Sequence, residues 1–288
     1  GCFFCVRYNP MQQRRWWSEA KWWVAGGFGI FCVYFGLIMV FRHINLFTAQ
    51  FDLGNMDQVL WQTLHGHFFQ MFSPTAVELV PRATVHADFS LLLYLPFYAI
   101  WQNPMFMTIL QMLAVASGAW PLFWVAKRYL SPRVSAMVAL SYLLYPPLMW
   151  AIMFDLHAVV LVTPAMIWAV WAVLERRWWM YGFAVITMIL AKEEVGVTVA
   201  LLGLLVAWRV KPRWIGFATT VVGVATTIFM LGYVIPHARQ APGHFALGYY
   251  SEFGSSSSGV VAGILEHPVL VAHKVLGHEA RGYFAALL

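Results

Sequence analysis

Charge is what this sequence has least of. Only 10% of its 288 residues are Asp, Glu, Lys or Arg, against about a quarter in a soluble domain. That shortage excludes an ordinary soluble domain. Acids are scarcer than bases, 12 against 18, which leaves a net charge of +6. The basic excess does not mark a nucleic-acid binder, because Lys and Arg sit in short groups beside apolar runs, where they set membrane topology. Cysteine is almost missing as well. Cys2 and Cys5 form a single C-x-x-C with no second pair to complete a zinc site, and Cys32 lies inside an apolar run. No G-x-x-x-x-G-K-[ST] and no H-E-x-x-H occurs, so nucleotide hydrolysis and zincin chemistry have no support. No A-x-A site follows the first apolar run, so residues 22–41 read as an uncleaved anchor. No internal repeat is visible.

What fills the space is hydrocarbon. The chain is 61% hydrophobic with a mean hydropathy of +0.68. Its Trp residues include Trp16, Trp17, Trp22, Trp23, Trp178 and Trp179, placed where an interfacial belt belongs. About 20 helical residues cross the hydrocarbon core. The spacing predicts spans at 22–41, 104–126, 134–153, 158–174 and 213–235, with two shorter ones at 179–191 and 195–208. Basic groups at Arg14/Arg15/Lys21, Lys127/Arg128/Arg133, Arg176/Arg177 and Arg209/Lys211/Arg213 then belong on the cytoplasmic side. An even number of crossings separates each neighbouring pair only if the run 89–101, with Pro96, does not cross. The expected fold is therefore an all-α, polytopic transmembrane helix bundle. Residues 1–21 form a cytoplasmic N-terminal segment, 22–235 a module of about seven spans, and 236–288 an external loop with the start of a further span. The expected setting is the plasma membrane. The chain opens on Gly1 and closes on the apolar "ARGYFAALL", so the native protein is expected to continue with more spans.

This topology sends Asp52, Asp57, His86, Asp88, Asp155, His157, Glu193 and Glu194 to the outer side. A carboxylate facing lipid at the centre of a helix costs about 2.5–3.5 kcal/mol. Acids delivered by several turns to one face need a wet or protein-walled cavity. Each also has a plain structural reading. "FDLGNMDQVLWQTLHGHFF" (51–69) places Leu53, Met56, Leu60, Trp61 and Leu64 at helical spacing, so 51–66 reads as an amphipathic juxtamembrane helix with Asp52 at its N-cap. Asp57 then falls on its solvated face. Asp155, in the tight turn "FDLH", is either a cap or part of an acid cluster. In "AKEEVG", Lys192 either pairs with its own turn or helps to form a site. Asp52, His86 and Asp155 are the candidate donors for a divalent metal.

The segments "FDLGNMDQVLW", "LYLPFY" with His86 ten residues before its Pro, "LQMLAVASGAWPLFWVAKRYL", "FDLH" and "AKEE" come in an order and spacing that resemble the membrane-protein family catalogued as domain of unknown function 2079. The resemblance runs from about residue 45 to the end. That family is grouped with the GT-C superfamily of membrane glycosyltransferases, whose members resemble one another in a first-external-loop acid and a lipid-phosphate-linked sugar donor. Carried over, Asp52 matches the first-loop acid and Asp155 the second-loop acid. Glu193 matches the Glu of a K-E-D motif in which Glu194 replaces the Asp. "HADFS" departs from the usual H-x-S-P.

The resemblance implies a GT-C-like bundle that transfers sugar from a polyprenyl-phosphate donor to an acceptor of unknown identity at the outer face. Asp52, Asp155 and Glu193 are then the catalytic candidates. Asp57, His86, His157, Lys192, Glu194 and Arg239 are the substrate-binding ones, with Arg239 facing the leaving phosphate. These groups are expected to converge on one outer cavity. Two other readings stand beside this one. A transporter would use Glu193 and Glu194 as proton or cation sites, and a lipid-binding membrane protein would keep the fold without the chemistry.

Overall fold

The computed structural model describes residues 10–48, 50–73, 77–240 and 245–287. Cys2 and Cys5 lie outside the described residues, as do the side chains of Arg14, Arg15, Trp16 and Trp17. The chain is about 76% helical, and its strands amount to one antiparallel hairpin among the described residues, β1 (Gln70–Phe72) with β2 (Leu79–Pro81). Among the described residues, four helical stretches are long and apolar enough to cross a membrane: Glu19–Ile44, Pro104–Ala126, Pro132–Met153 and Arg213–Arg239. The helices at 158–174, 178–189 and 195–209 are apolar but shorter.

The first stretch belongs to α1 (Pro10–Ile44). Ala20, Val24, Phe31, Phe35 and Met39 recur on one face and are buried, while Ile30 and Leu37 are exposed, as a helix edged by lipid requires. The second is α4 (Pro104–Ser117) and α5 (Ala119–Ala126), interrupted near Pro121, which has no N–H to bond to the preceding turn. The third is α6 (Pro132–Leu143) and α7 (Pro146–Met153), interrupted at Pro146 and Pro147 for the same reason. These helices share one apolar core with α1. The helices α8 (Val162–Leu174), α9 (Trp178–Ile189) and α10 (Val195–Arg209) share another. Helix α11 (Arg213–Phe229) passes through a π-turn at Met230–Val234 into α12 (Ile235–Arg239).

Between α1 and α4 lies the long first loop. A π-turn at Gln50–Gly54 leads into α2 (Asn55–Leu64), which buries Met56, Val59 and Leu60. Trp61, expected on the apolar face, is exposed and stacks on His65 at a centroid distance of 3.8 Å. The run expected not to cross is a 3-10 turn, Phe89–Tyr94, followed by α3 (Leu95–Tyr98), ten residues in all. Residues 236–280, expected as a loop from their Gly, Pro and Ser content, carry α13 (Ser257–Glu266) and α14 (Pro268–Leu276), with α15 (His278–Leu287) after them. Ser256, one of four consecutive serines, is the cap of α13, and its hydroxyl accepts from the Gly259 amide at 3.1 Å. Helices α13 and α14 are both apolar and meet at a bend of 88°.

Helices α10 and α11 pack backbone to backbone. Gly196 and Gly203 of α10 face Gly223 and Gly216 of α11, and a Cβ on any of them would strike the opposite main chain. A Cβ at Gly223 would lie 2.7 Å from the Ala200 nitrogen. Gly223→Val is therefore expected to prise the pair apart and lower the yield of monodisperse protein in detergent. Gly182→Ala, where a Cβ meets nothing within 4 Å, should leave the yield unchanged or raise it. Equal yields for Gly223→Val and the wild type would show that the close approach does not matter.

The turns sort by charge. Arg128 donates to the Leu174 carbonyl at 3.1 Å and Arg176 to the Lys211 carbonyl at 3.2 Å, so the three basic turns gather at one end. The acid-bearing turns gather at the other, where Arg42, Asp155, His157 and Asp52 meet. The Ser90 amide there donates to the Leu190 carbonyl at 2.7 Å.

Candidate functional site

Two turns and the first loop build a cavity of about 210 Å³ at the acidic end. Its wall includes Asp52, Arg82, His86, Asp88, His157 and Lys192. Of the three acids expected to carry chemistry, only Asp52 is part of that wall. Asp155 and Glu193 stand behind it, each held by a cation or an imidazole.

The Asp155 turn is unusual in its backbone. Asp155 has a φ of +69°, a left-handed conformation that a side chain disfavours. One buried amide stabilises it. The Gln111 Nε2 of α4 donates to the Asp155 carbonyl at 2.8 Å, and its Oε1 accepts from the His157 amide at 2.8 Å. Arg42, in the last turn of α1, reaches the Asp155 carboxylate at 3.4 Å. Asp155 is not the cap of the 3-10 turn after it, which starts from His157 without a side-chain bond. The consequence is the position of His157, whose Nε2 stands 3.7 Å from the Asp52 carboxylate. Asp52 itself is no cap, because α2 starts after Gly54 with no side-chain cap bond.

Glu193 ties the first loop to the α9–α10 turn. Its Oε1 accepts from His86 Nδ1 at 2.9 Å and its Oε2 from the Ala87 amide at 3.0 Å. Burial works to raise its pKa, but the His86 and Ala87 hydrogen bonds outweigh burial and hold the carboxyl down to about 2. A depressed folded-state pKa contributes stability that is present above the ordinary value of 4.5 and lost below it. The junction is expected to hold from neutral pH to about 5 and to loosen as pH falls from about 4.5 towards 2. Proteolysis near residues 86–88, followed against pH, should show that window in the wild type and lack it in Glu193→Gln.

The remaining candidates separate. Lys192 pairs with the exposed Glu194 at 3.0 Å, so the pairing within the turn is real but leaves Glu193 out of it. Asp57, expected on a solvated face, accepts from the Tyr98 hydroxyl at 2.6 Å and is kept above the usual carboxylate range mainly by burial. It docks α2 on α3 and is not part of the cavity wall. Arg239 lies on α12, which packs against the 82–84 turn, and is likewise outside the wall. Arg42 faces Asp155 and Glu193 faces His86. Among the described residues, no group of three His, Cys, Asp or Glu could hold a metal.

Arg82, Gln111 and Arg42 escaped the sequence reading, which placed Asp88 on the outer side without its partner. Arg82 and Asp88 form a buried pair, with Nη2 to Oδ2 at 2.7 Å and Nε within 3.2 Å of both oxygens. Gln111 is a fully buried amide in the middle of an apolar helix. Arg42 is a cation at the end where the charge pattern calls for few. The last two were visible as anomalies, and their partners were not.

The bundle also holds two apolar hollows, of about 340 and 460 Å³. Both include Ala114, Leu161, Phe183 and Thr187. Ala158 and Val159 line the polar cavity, and Leu161, one turn on, lines both hollows. No curated protein and no solved structure matches the chain. A family model does, over residues 42–288, and the chain belongs to the family described as Predicted membrane protein (DUF2079).

Proposed function

We propose that this protein is a membrane glycosyltransferase of the GT-C type, with about seven crossings and its N-terminus in the cytoplasm. It takes sugar from a polyprenyl-phosphate donor at the outer face of the plasma membrane. The observation that carries the reading is the nearness in sequence of a small polar cavity and two apolar hollows: Ala158 and Val159 line the first, and Leu161, two residues on, lines the others. A polar pocket with apolar space close by suits a lipid with a charged head.

In this reading the acceptor hydroxyl attacks the anomeric carbon of the donor sugar. The bond from that carbon to the phosphate oxygen breaks, and Asp52 takes the hydroxyl proton as general base. His157, 3.7 Å away, orients Asp52. The lipid phosphate leaves towards Lys192, which lines the cavity and is exposed enough to move. Arg239 gives up that role because it lies outside the wall. Asp155 and Glu193 become positioning residues. Arg42 and Gln111 fix the first of them, and His86 the second. No step is assigned to a metal.

The test is turnover. The protein reconstituted in liposomes would be given a panel of radiolabelled polyprenyl-phosphate sugars with total membrane extract as acceptor. Release of free polyprenyl phosphate from one donor supports the reading. Lack of consumption of every donor by verified, folded protein overturns it.

A further inference from the structure

The opposite end of the bundle carries a second feature, independent of the acidic cavity. An open cleft of about 640 Å³ lies between the α8–α9 and α10–α11 turns, lined by Arg176, Lys211, Pro212 and Arg213. Three neighbouring basic residues are engaged. Arg128 pairs with Glu175 at 2.7 Å, Arg177 lies over the Trp171 ring at 5.6 Å, and Arg209 lies over Trp208 at 3.9 Å. The three cations of the cleft differ. Among the described residues no carboxylate pairs with Arg176, Lys211 or Arg213, and Glu175, beside them in sequence, is taken by Arg128.

Arg176 closes the C-terminus of α8 with a φ of +55°, the Arg177 amide bonding back to the Ala172 carbonyl at 2.8 Å. Its guanidinium holds the Lys211 carbonyl at 3.2 Å, which joins the two turns across the cleft. The first turn of α11 also opens here. Its cap residue is Pro212, with no side-chain acceptor for the free amides, so the positive end of a 17-residue helix is left facing the cleft. Three like charges and a helix N-terminus repel one another unless a negative group lies between them.

Depth then selects the ligand. Trp179, Trp208 and Trp214, all exposed, ring this end of the bundle, and exposed Trp marks the headgroup level of a membrane. The phosphates that occur at that depth are those of lipids. We infer that Arg176, Lys211, Arg213 and the α11 N-terminus form a binding site for the phosphate headgroup of an anionic phospholipid in the leaflet opposite the acidic cavity.

The full chain in detergent would be titrated with phosphatidylglycerol or phosphatidylcholine and bound lipid counted by native mass spectrometry. This readout does not depend on how the protein inserts. Each basic residue at an anionic lipid contributes roughly a fivefold factor. Arg176→Gln/Lys211→Gln/Arg213→Gln should therefore lose at least tenfold in affinity for phosphatidylglycerol with no change for phosphatidylcholine. Lys127→Gln/Arg133→Gln should lose nothing. If the triple variant does not fold, Lys211→Gln alone keeps the backbone carbonyl that Arg176 needs and should lose roughly fivefold. Wild-type affinity in whichever variant folds overturns the site. Inorganic phosphate is the second probe. Thermal stabilisation equal to that by phosphatidylglycerol at the same concentration, lost in the same variant, would make this a free-anion site and overturn the lipid assignment.

Discussion

Asp52→Asn is expected to abolish sugar transfer while leaving a folded, soluble-in-detergent protein. The amide cannot accept the acceptor's proton, and removal of a positioned base costs about 10²–10⁴-fold in rate. Stability should change little. Asp52 is partly exposed, caps no helix, and has its ionic contact with His157 at a loose 3.7 Å. A change within about 0.5 kcal/mol is what such a position permits. His157→Ala should lower the rate less, because the base remains but is no longer oriented. The pairing of readouts matters. Full turnover by Asp52→Asn removes Asp52 from the chemistry. Lost turnover with a collapsed melting transition would assign it a structural role instead.

Arg82→Ala should destabilise more than any other single change in the first loop. Both members of the Arg82–Asp88 pair are about 5% exposed, and the guanidinium meets the carboxylate through Nε and Nη2 together. Removing one partner leaves a buried, uncompensated charge, at a cost of about 3–5 kcal/mol. Replacing both removes the charge altogether. Arg82→Met/Asp88→Leu is therefore expected to recover most of the loss and melt near the wild type. Thermal melting in one detergent decides it. If the double variant is as unstable as the single, the pair supplies something beyond charge balance, such as the Met71 sulfur contact to Nη1.

The sequence shows spans well and contacts poorly, for a physical reason. Long apolar runs without charge have few alternatives to a helix in lipid, so α1, α4–α5, α6–α7 and α11 lie close to where the hydropathy places them. Charge segregation was also visible, because basic groups recur at intervals of one hairpin. The partners were hidden. Arg42 and Asp155 are 113 residues apart, and His86 and Glu193 are 107 apart. No local pattern encodes either choice. The same holds for Asp57, whose partner Tyr98 sits 41 residues on in a run that reads as merely apolar. The hairpin β1–β2 left no trace in the periodicity, since each of its strands is three residues long. Helices α13 and α14 were obscured by composition, because Ser and Gly stand for both a loop and a helix cap.

The shortness of α9 has a consequence for the membrane itself. Its 12 residues rise about 18 Å, and the 15 of α10 about 22 Å. The hydrocarbon slab is about 30 Å thick. Such a hairpin cannot meet both surfaces of a flat bilayer. The slab must thin around it, or the turn bearing Lys192, Glu193 and Glu194 must sit sunken beneath the surrounding headgroups. In the seven-crossing topology proposed above, the lipid at that edge would be deformed and its headgroups drawn towards the depth of the acidic turn. Membranes of longer acyl chains make the deformation costlier, and those of shorter chains relieve it.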